Sequence, residues 1–536
     1  MAVAVRVDLS AFDPKVCEKM RSIFARLHRR YGKKISGAER QRFVRKNVDL
    51  HPVEAPAAPR AERLAMRGKP KPRVAIVGAG FAGLMAGYSL ADRCQVTIFE
   101  ARERIGGRVW SKSRAGGIVE AGGELIGYNH PLWLQLAKKF ELGLSVITSD
   151  TNFDALDLDM PLYLDGEKIS ERRMERVYDE MLEAFDRMTR RATKVDPHKP
   201  WQAANARKLD LMPVSHWISG LRCSPLAKLA IEEQLSNDAG QPTEKQSYLA
   251  NLAVVAGGAL DGQPGAFFTQ TETLRCSEGN QALAGCLANA IEKKGGTIHL
   301  SAPVRAIHID DDRVTVEAEG KTPEIADYVI LAIPPSLWPG AKFGKISIDP
   351  QLPADYYVSM GKAVKYLSPL KNRFWIGEGL APTATSNRFG VTWEGTDNQI
   401  AAPGRDVELT LFAGGAAAQS ALNKWAAGGK SAVNAFYASQ LGKVYKGYAA
   451  SLSKQPDFIA WPADPWTGAG YSCPAPGEVC RAGPLLRKGF RKRMFFAGEH
   501  TCFAYFGYME GALQSGQIAA SAVLKTASRQ RQRQNA

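Results

Sequence analysis

The stretch "RVAIVGAGFAGLMAGYSLADRCQVTIFEARERIGGRVWS", residues 73–111, constrains the fold of this chain more than any other. It reads as strand, glycine turn, helix, strand. The apolar run Val74 to Val77 leads into Gly78-x-Gly80-x-x-Gly83, and a helical pattern follows directly. Glu100 closes the second strand 22 residues after Gly78. A Rossmann unit needs an acid there to accept hydrogen bonds from ribose hydroxyls. Gly78 permits the tight turn, Gly80 lets the backbone approach a pyrophosphate, and Gly83 lets helix pack on strand. The pyrophosphate then faces a helix N-terminus, where free N–H groups and the dipole favour anions. A lone glycine triplet means little; in this setting it predicts an α/β dinucleotide-binding domain.

Length and composition narrow what surrounds that domain. A chain of 536 residues exceeds one simple core and predicts about two to four compact units. It is 45% hydrophobic and 23% charged, ordinary for a globular protein. No apolar run approaches the roughly 18–20 residues of a membrane span, and "MAVAVRVDLSAFD" lacks the basic flank and apolar core of a secretory signal. The eight cysteines and eight histidines show no ligand spacing, so free thiols, no metal and a cytoplasmic location are expected. The net charge of +16 gathers in "RSIFARLHRRYGKK", "RQRFVRK", "RGKPKPR" and "SRQRQRQ". These runs form no aromatic stacking platform and read as solvated faces and ends, not a nucleic-acid surface. Residues 13–31 pattern as an amphipathic helix, and 50–70, rich in Pro and Ala, as a linker.

Further motifs identify a relative. Past Glu100 stands Gly106-Gly107-Arg108, and near the end "RMFFAGEHTCFAYFGYMEGALQSGQIAA" (493–520) runs from strand to helix through Glu499, His500 and three rings. Together with the first stretch these resemble the flavin amine oxidase superfamily, which includes monoamine, polyamine and L-amino acid oxidases. The resemblance covers roughly residues 72 to 525. It implies an FAD cofactor bound by Gly78, Gly80, Ala82, Gly83, Glu100, Ala101, Gly106, Gly107, Arg108, Val304, Gly498, Glu499, Tyr508 and Met509. Within that set Arg108 offers a fork to phosphate oxygens, the Val304 backbone meets adenine, and Glu499 meets the ribityl–phosphate portion. The helix starting near Met509 faces the flavin pyrimidine. Lys365, in "MGKAVKYLSPLKNRFW", matches the lysine that holds a water against flavin N5. Tyr471 and Tyr508 match the two walls of an aromatic cage, completing the implied catalytic set with Lys365. Gly470 stands where monoamine oxidases carry their flavin-linking cysteine, so non-covalent FAD is expected, with Cys473 nearby.

The same resemblance implies a Rossmann-type FAD-binding domain with an inserted α+β substrate-binding domain and helical segments. The expected division is an N-terminal helical extension and linker at 1–71, FAD-binding parts at 72–128, 272–345 and 483–526, substrate-domain parts at 129–271 and 346–482, and a basic disordered tail at 527–536. The stripe Met174, Val177, Tyr178, Met181, Phe185 and Met188 predicts a core-facing helix over 171–188. The activity implied is oxidative deamination of L-amino acids to 2-oxo acids, ammonia and H2O2, with O2 as co-substrate. Phe503, Tyr505 and Phe506 near the cage predict apolar or aromatic substrate side chains. Against an amino acid, Leu125 stands where eukaryotic L-amino acid oxidases place their carboxylate-binding arginine. Monoamine or polyamine oxidation, or amino-acid 2-monooxygenation, is the alternative. A homodimer is the expected assembly.

Overall fold

The structure, a computed structural model, describes residues 71–535 apart from 115–116, 149–152, 154–155, 260–263, 343 and 398–405. The helix expected over 13–31 and the linker over 50–70 lie outside the described residues.

Distant parts of the chain build one parallel sheet, ordered Met494–Phe496, Tyr328–Leu331, Arg73–Val77, Gln95–Phe99 and Thr297–His299. Its strands Met494–Phe496 and Tyr328–Leu331 and the run Val74 to Val77 are apolar because both faces are covered there, whereas the edge strand Thr297–His299 is partly exposed. Val74, Ile76 and Ile330 pack into one core with the helices Phe81–Leu90, Gln281–Glu292 and Met509–Asn535. Ala75, Val77, Val329 and Leu331 pack into a second core under a four-stranded sheet. That sheet is ordered Glu324–Ala326, Val314–Ala318, Val304–Ile309 and Ser347–Asp349, and its central hairpin turns at the acidic residues 310–312.

Seven strands form another sheet, in the order Asp457–Ala460, Ala363–Leu370, Val407–Gly414, Gly390–Glu394, Thr385–Ser386, Leu162–Leu164 and Glu167–Lys168. Ala363–Leu370 is paired on both edges and buried throughout, which draws Lys365 inside. The helical stripe is confirmed as Glu171–Ala192, with all six expected residues buried. It packs against Pro225–Ala239, which Ser224 caps by accepting from the Ala227 N–H at 3.2 Å and Gly240 ends in the left-handed conformation.

The tail differs from expectation. Residues 527–535, expected to be disordered, continue the helix Met509–Asn535. Ala527 is buried, and Gln530 accepts from Tyr328 Oη at 2.5 Å and from Arg493 Nη1 at 3.4 Å. Composition suggested disorder, but a helix already docked on the sheet extends at little further cost.

Candidate active site

The carboxyl ends of the parallel strands open on a cavity of about 700 Å³. Of the fourteen residues expected to bind FAD, all but Gly83 border it. Gly83 instead serves packing: a Cβ there would sit 1.9 Å from the Gly78 carbonyl oxygen. Gly78 has φ +105°, and a Cβ on Gly107 would lie 3.2 Å from the Gly80 Cα. The two glycine turns therefore abut, bridged by the Gly106 N–H to the Ala79 carbonyl at 2.9 Å.

The helix Phe81–Leu90 starts at this junction with no side-chain cap and no acid in its first turn. Its N–H groups are left to an anion. Glu100 is buried beside it, accepting from the Ala79 N–H at 2.8 Å and the Arg102 N–H at 3.0 Å. Each carboxylate oxygen keeps a second lone pair for a hydroxyl. A bare helix start, side-chain-free glycine walls and an oriented acid fit the diphosphate and ribose of FAD.

Glu499 is committed within the protein. Its carboxylate accepts from Arg108 Nη1 at 2.8 Å, from Ser472 Oγ at 2.5 Å and from the N–H groups of Ser472 and Gly507 at 3.1 and 2.7 Å. Burial alone would raise its proton affinity, but the Arg108 charge, the His500 side chain and these hydrogen bonds hold the carboxyl below the ordinary value. Ser472 follows Tyr471 and Gly507 precedes Tyr508, so one carboxylate ties together the segments carrying both tyrosines. Arg108 Nη1 also donates to the Gly470 carbonyl at 2.9 Å, which commits that nitrogen within the protein.

Tyr471 and Tyr508 both border the cavity. Tyr471 Oη donates to the Asp238 carbonyl at 2.7 Å, while Tyr508 packs edge-on to His130 and Phe267. Burial, reinforced by neighbouring carboxylates, keeps both phenols protonated far beyond the usual range. Of the three rings expected beside the cage only Phe506 borders the cavity. Phe503 packs on Trp201, and Tyr505 Oη donates to the Asn129 carbonyl at 2.9 Å, so these two answer packing demands. His500 is buried against Trp338, and burial pushes its imidazole down to about 4. Cys473 is buried and does not border the cavity, whereas Gly470 does.

Several charged groups escaped the reading of the sequence. Lys365 Nζ donates to Glu124 Oε2 at 2.6 Å and to the Glu120 carbonyl at 3.0 Å. Glu124 Oε1 also lies 2.7 Å from Arg275 Nη2 and accepts from Trp393 Nε1 at 2.9 Å. Burial would raise the Glu124 carboxyl, but the Lys365 and Arg275 charges overcome it and hold it low. Three more carboxylates border the cavity: Glu233 is half-buried, while Asp238 and Glu272 keep exposed surface although protein packs densely around them. Burial and then the Glu272 charge raise Asp238 to about 8; burial and then Glu232 raise Glu233 to about 7; Glu272 rises through burial and then Glu124. Asp238 and Glu272 stand alone in the sequence and Glu233 only follows Glu232, so no spacing marks them.

A dinucleotide cradle, a buried lysine and two tyrosines thus share one cavity, and residues 81–524 match the family of flavin containing amine oxidoreductases. The chain belongs to that family. Among its relatives is a probable flavin-containing monoamine oxidase A of Dictyostelium discoideum, 25% identical over 83% of this chain and 95% of that protein. An L-amino acid dehydrogenase of Synechocystis sp. is also 25% identical, over 84% of this chain and 94% of its own length. The fold matches a solved putrescine oxidase bound to putrescine, with TM-score 0.71 and 24% identity over 85% of this chain and 99% of that one. Family membership makes this chain a flavin-dependent amine oxidoreductase with FAD as its cofactor. No helix among the described residues is long and apolar enough to cross a membrane.

Proposed function

We propose that this protein is an oxidase of primary amines carrying a second positive charge, with FAD held non-covalently. The observation that carries this reading is the acidic lining: Glu272 and Asp238 face the same cavity as the tyrosine pair and influence both phenols electrostatically. Carboxylates gathered on one cavity wall favour a cation there over an anion.

An L-amino acid needs the opposite provision, a free cation for its carboxylate. Lys365 and Arg275 border the cavity, yet both are engaged by Glu124. A basic L-amino acid is the second reading, favoured by the position of Arg275 at the cavity wall and by the likeness to the L-amino acid dehydrogenase.

The geometry supports the following division of labour. Tyr471 and Tyr508 border the space for the reacting amine and exclude water from it; the amine reacts in its neutral form, because its nitrogen lone pair forms the C=N bond as the hydride leaves. Glu272 and Asp238 take the second charge. Glu499 keeps the two tyrosine segments in register, and Glu124 with Arg275 fixes the Lys365 ammonium at the cavity wall, where it orients a water. When bound, FAD supplies the acceptor for the hydride leaving the carbon next to nitrogen. Gly470 in place of a linking cysteine, with Cys473 turned away, supports a non-covalent cofactor.

A peroxide assay on matched pairs tests the proposal: putrescine against L-ornithine, phenethylamine against L-phenylalanine, with D-enantiomers alongside. Putrescine is expected to be fastest. Turnover of L-phenylalanine or L-ornithine above both amines would replace this reading with amino-acid oxidation. Acid precipitation should release yellow flavin into solution; flavin left in the pellet would refute the non-covalent assignment.

A further inference from the structure

Glu124 is a carboxylate supplied by the protein where the cavity wall carries two cations. It is engaged on both oxygens, at 2.6 Å to Lys365 and 2.7 Å to Arg275, with the Trp393 indole as a third donor. The three charged side chains retain 4%, 7% and 6% of their exposure, so this is a desolvated cluster and not a surface pair. Arg275 is pinned further, donating to the carbonyls of Glu394 at 2.9 Å and Asp397 at 3.3 Å. Both cations stay in place whether or not a ligand arrives. Fixed cations at a cavity wall are what a substrate carboxylate requires. Here the requirement is already met from within.

We infer that Glu124 is a specificity-determining residue: it occupies Lys365 and Arg275 and so excludes amine substrates that carry a carboxylate. This rests on the amine-oxidase reading and deepens it. The local charge supports it, since Lys365 and Arg275 are balanced by Glu124 and by Glu272, whose electrostatic neighbours include Glu124 and Lys365. An entering carboxylate would add an uncompensated negative charge to this balanced cluster. With Glu124 truncated, the same wall carries a net positive charge and a vacated seat of carboxylate size. Leu125, the next residue, borders the cavity without competing for either cation.

The test uses the flavin-loaded Glu124→Ala variant with formate as the probe. Formate is expected to raise its melting temperature saturably and to perturb its flavin absorption, while leaving the native protein unaffected. In the matched pairs, the ratio of kcat/KM for putrescine over L-ornithine should fall at least ~10-fold in Glu124→Ala, as expected when a buried cation gains its partner from substrate. A folded, flavin-loaded variant that ignores formate and keeps the native ratio overturns the inference. If Glu124→Ala does not fold, the isosteric Glu124→Gln decides: the ratio must fall in the same direction, and an unchanged ratio overturns the inference. The two readings fail separately. Absence of turnover with every amine would remove the amine-oxidase reading and leave the formate titration to judge the cation seat. Amine turnover with an unmoved ratio removes only the role of Glu124.

Discussion

Lys365 lies in the middle of a fully buried strand, and its ammonium is held by Glu124 and the Glu120 carbonyl. Lys365→Met therefore removes a fixed charge at the cavity wall without touching the glycine cradle. FAD content should stay near native while flavin reduction or reoxidation slows by about 100-fold, the usual effect of losing one preorganised electrostatic contact. Stopped-flow absorbance is the measurement, and native rates in both half-reactions would refute the role. Asp238 yields a prediction about pH. Its carboxyl, raised to about 8 by burial and by Glu272, is protonated in the empty cavity at neutral pH. A bound cation favours the ionised form, so cation binding must displace that proton and strengthens as pH rises towards 8. The KM for putrescine should fall between pH 6.5 and 8. In Asp238→Asn that slope should flatten; an unchanged slope assigns the titration elsewhere.

The helix Met509–Asn535 joins the site to the fold. A Cβ on Gly516 would sit 2.4 Å from the Ala82 carbonyl oxygen, so this helix touches the phosphate-facing helix backbone to backbone. Its far end is anchored where Gln530 meets Tyr328 and Arg493. Truncation after Thr526 removes buried Ala527 and those hydrogen bonds, a loss on the order of 1–3 kcal/mol. The melting temperature should drop measurably while flavin stays bound. A disordered tail would be removable without any change in melting, and that outcome would contradict the helix described here. Glu499 acts at the same scale, since one carboxylate spans the segments of Tyr471 and Tyr508. That tie explains why an acid, a histidine and several rings stand between a strand and a helix. Only some of these residues face the cavity; the others hold its wall.

Across the whole molecule, buried carboxyls set the pH dependence of stability. Burial raises Glu120, Glu408 and Glu510 each to about 7. In the unfolded chain these groups are already ionised at pH 6.5, so the folded protein binds more protons between pH 6.5 and 8. Stability must therefore fall as pH rises through that window, by about 1.4 kcal/mol per pH unit for each proton still held. The buried imidazoles His130 and His500, pushed down to about 3 and about 4, act in the opposite sense, mainly below pH 6.5, and offset part of the fall at the start of that window. Thermal melts at fixed ionic strength should show the melting temperature declining from pH 6.5 to 8. A flat or rising profile would mean that these carboxyls are better solvated than their burial implies.

The dinucleotide fold was legible from short-range pattern alone. A glycine turn admits few backbone conformations, an apolar run covered on both faces marks a parallel strand, and these constraints act within a few residues. The same holds for the buried stripe of Glu171–Ala192 and for the glycines that border the cavity. What the pattern could not reveal was which charges meet. Glu124 and Arg275 are 151 positions apart in the chain, and Lys365 reaches them from a different sheet. No periodicity records such an encounter. The aromatic residues 503 to 508 show the same limit: their rings look equivalent in sequence, yet backbone direction sends Phe506 and Tyr508 to the cavity and Phe503 to the core. Local sequence determined the cradle, because backbone sterics are local. Tertiary structure alone decided the charge of the cavity, because electrostatic partners are chosen by proximity in space and by exclusion from water.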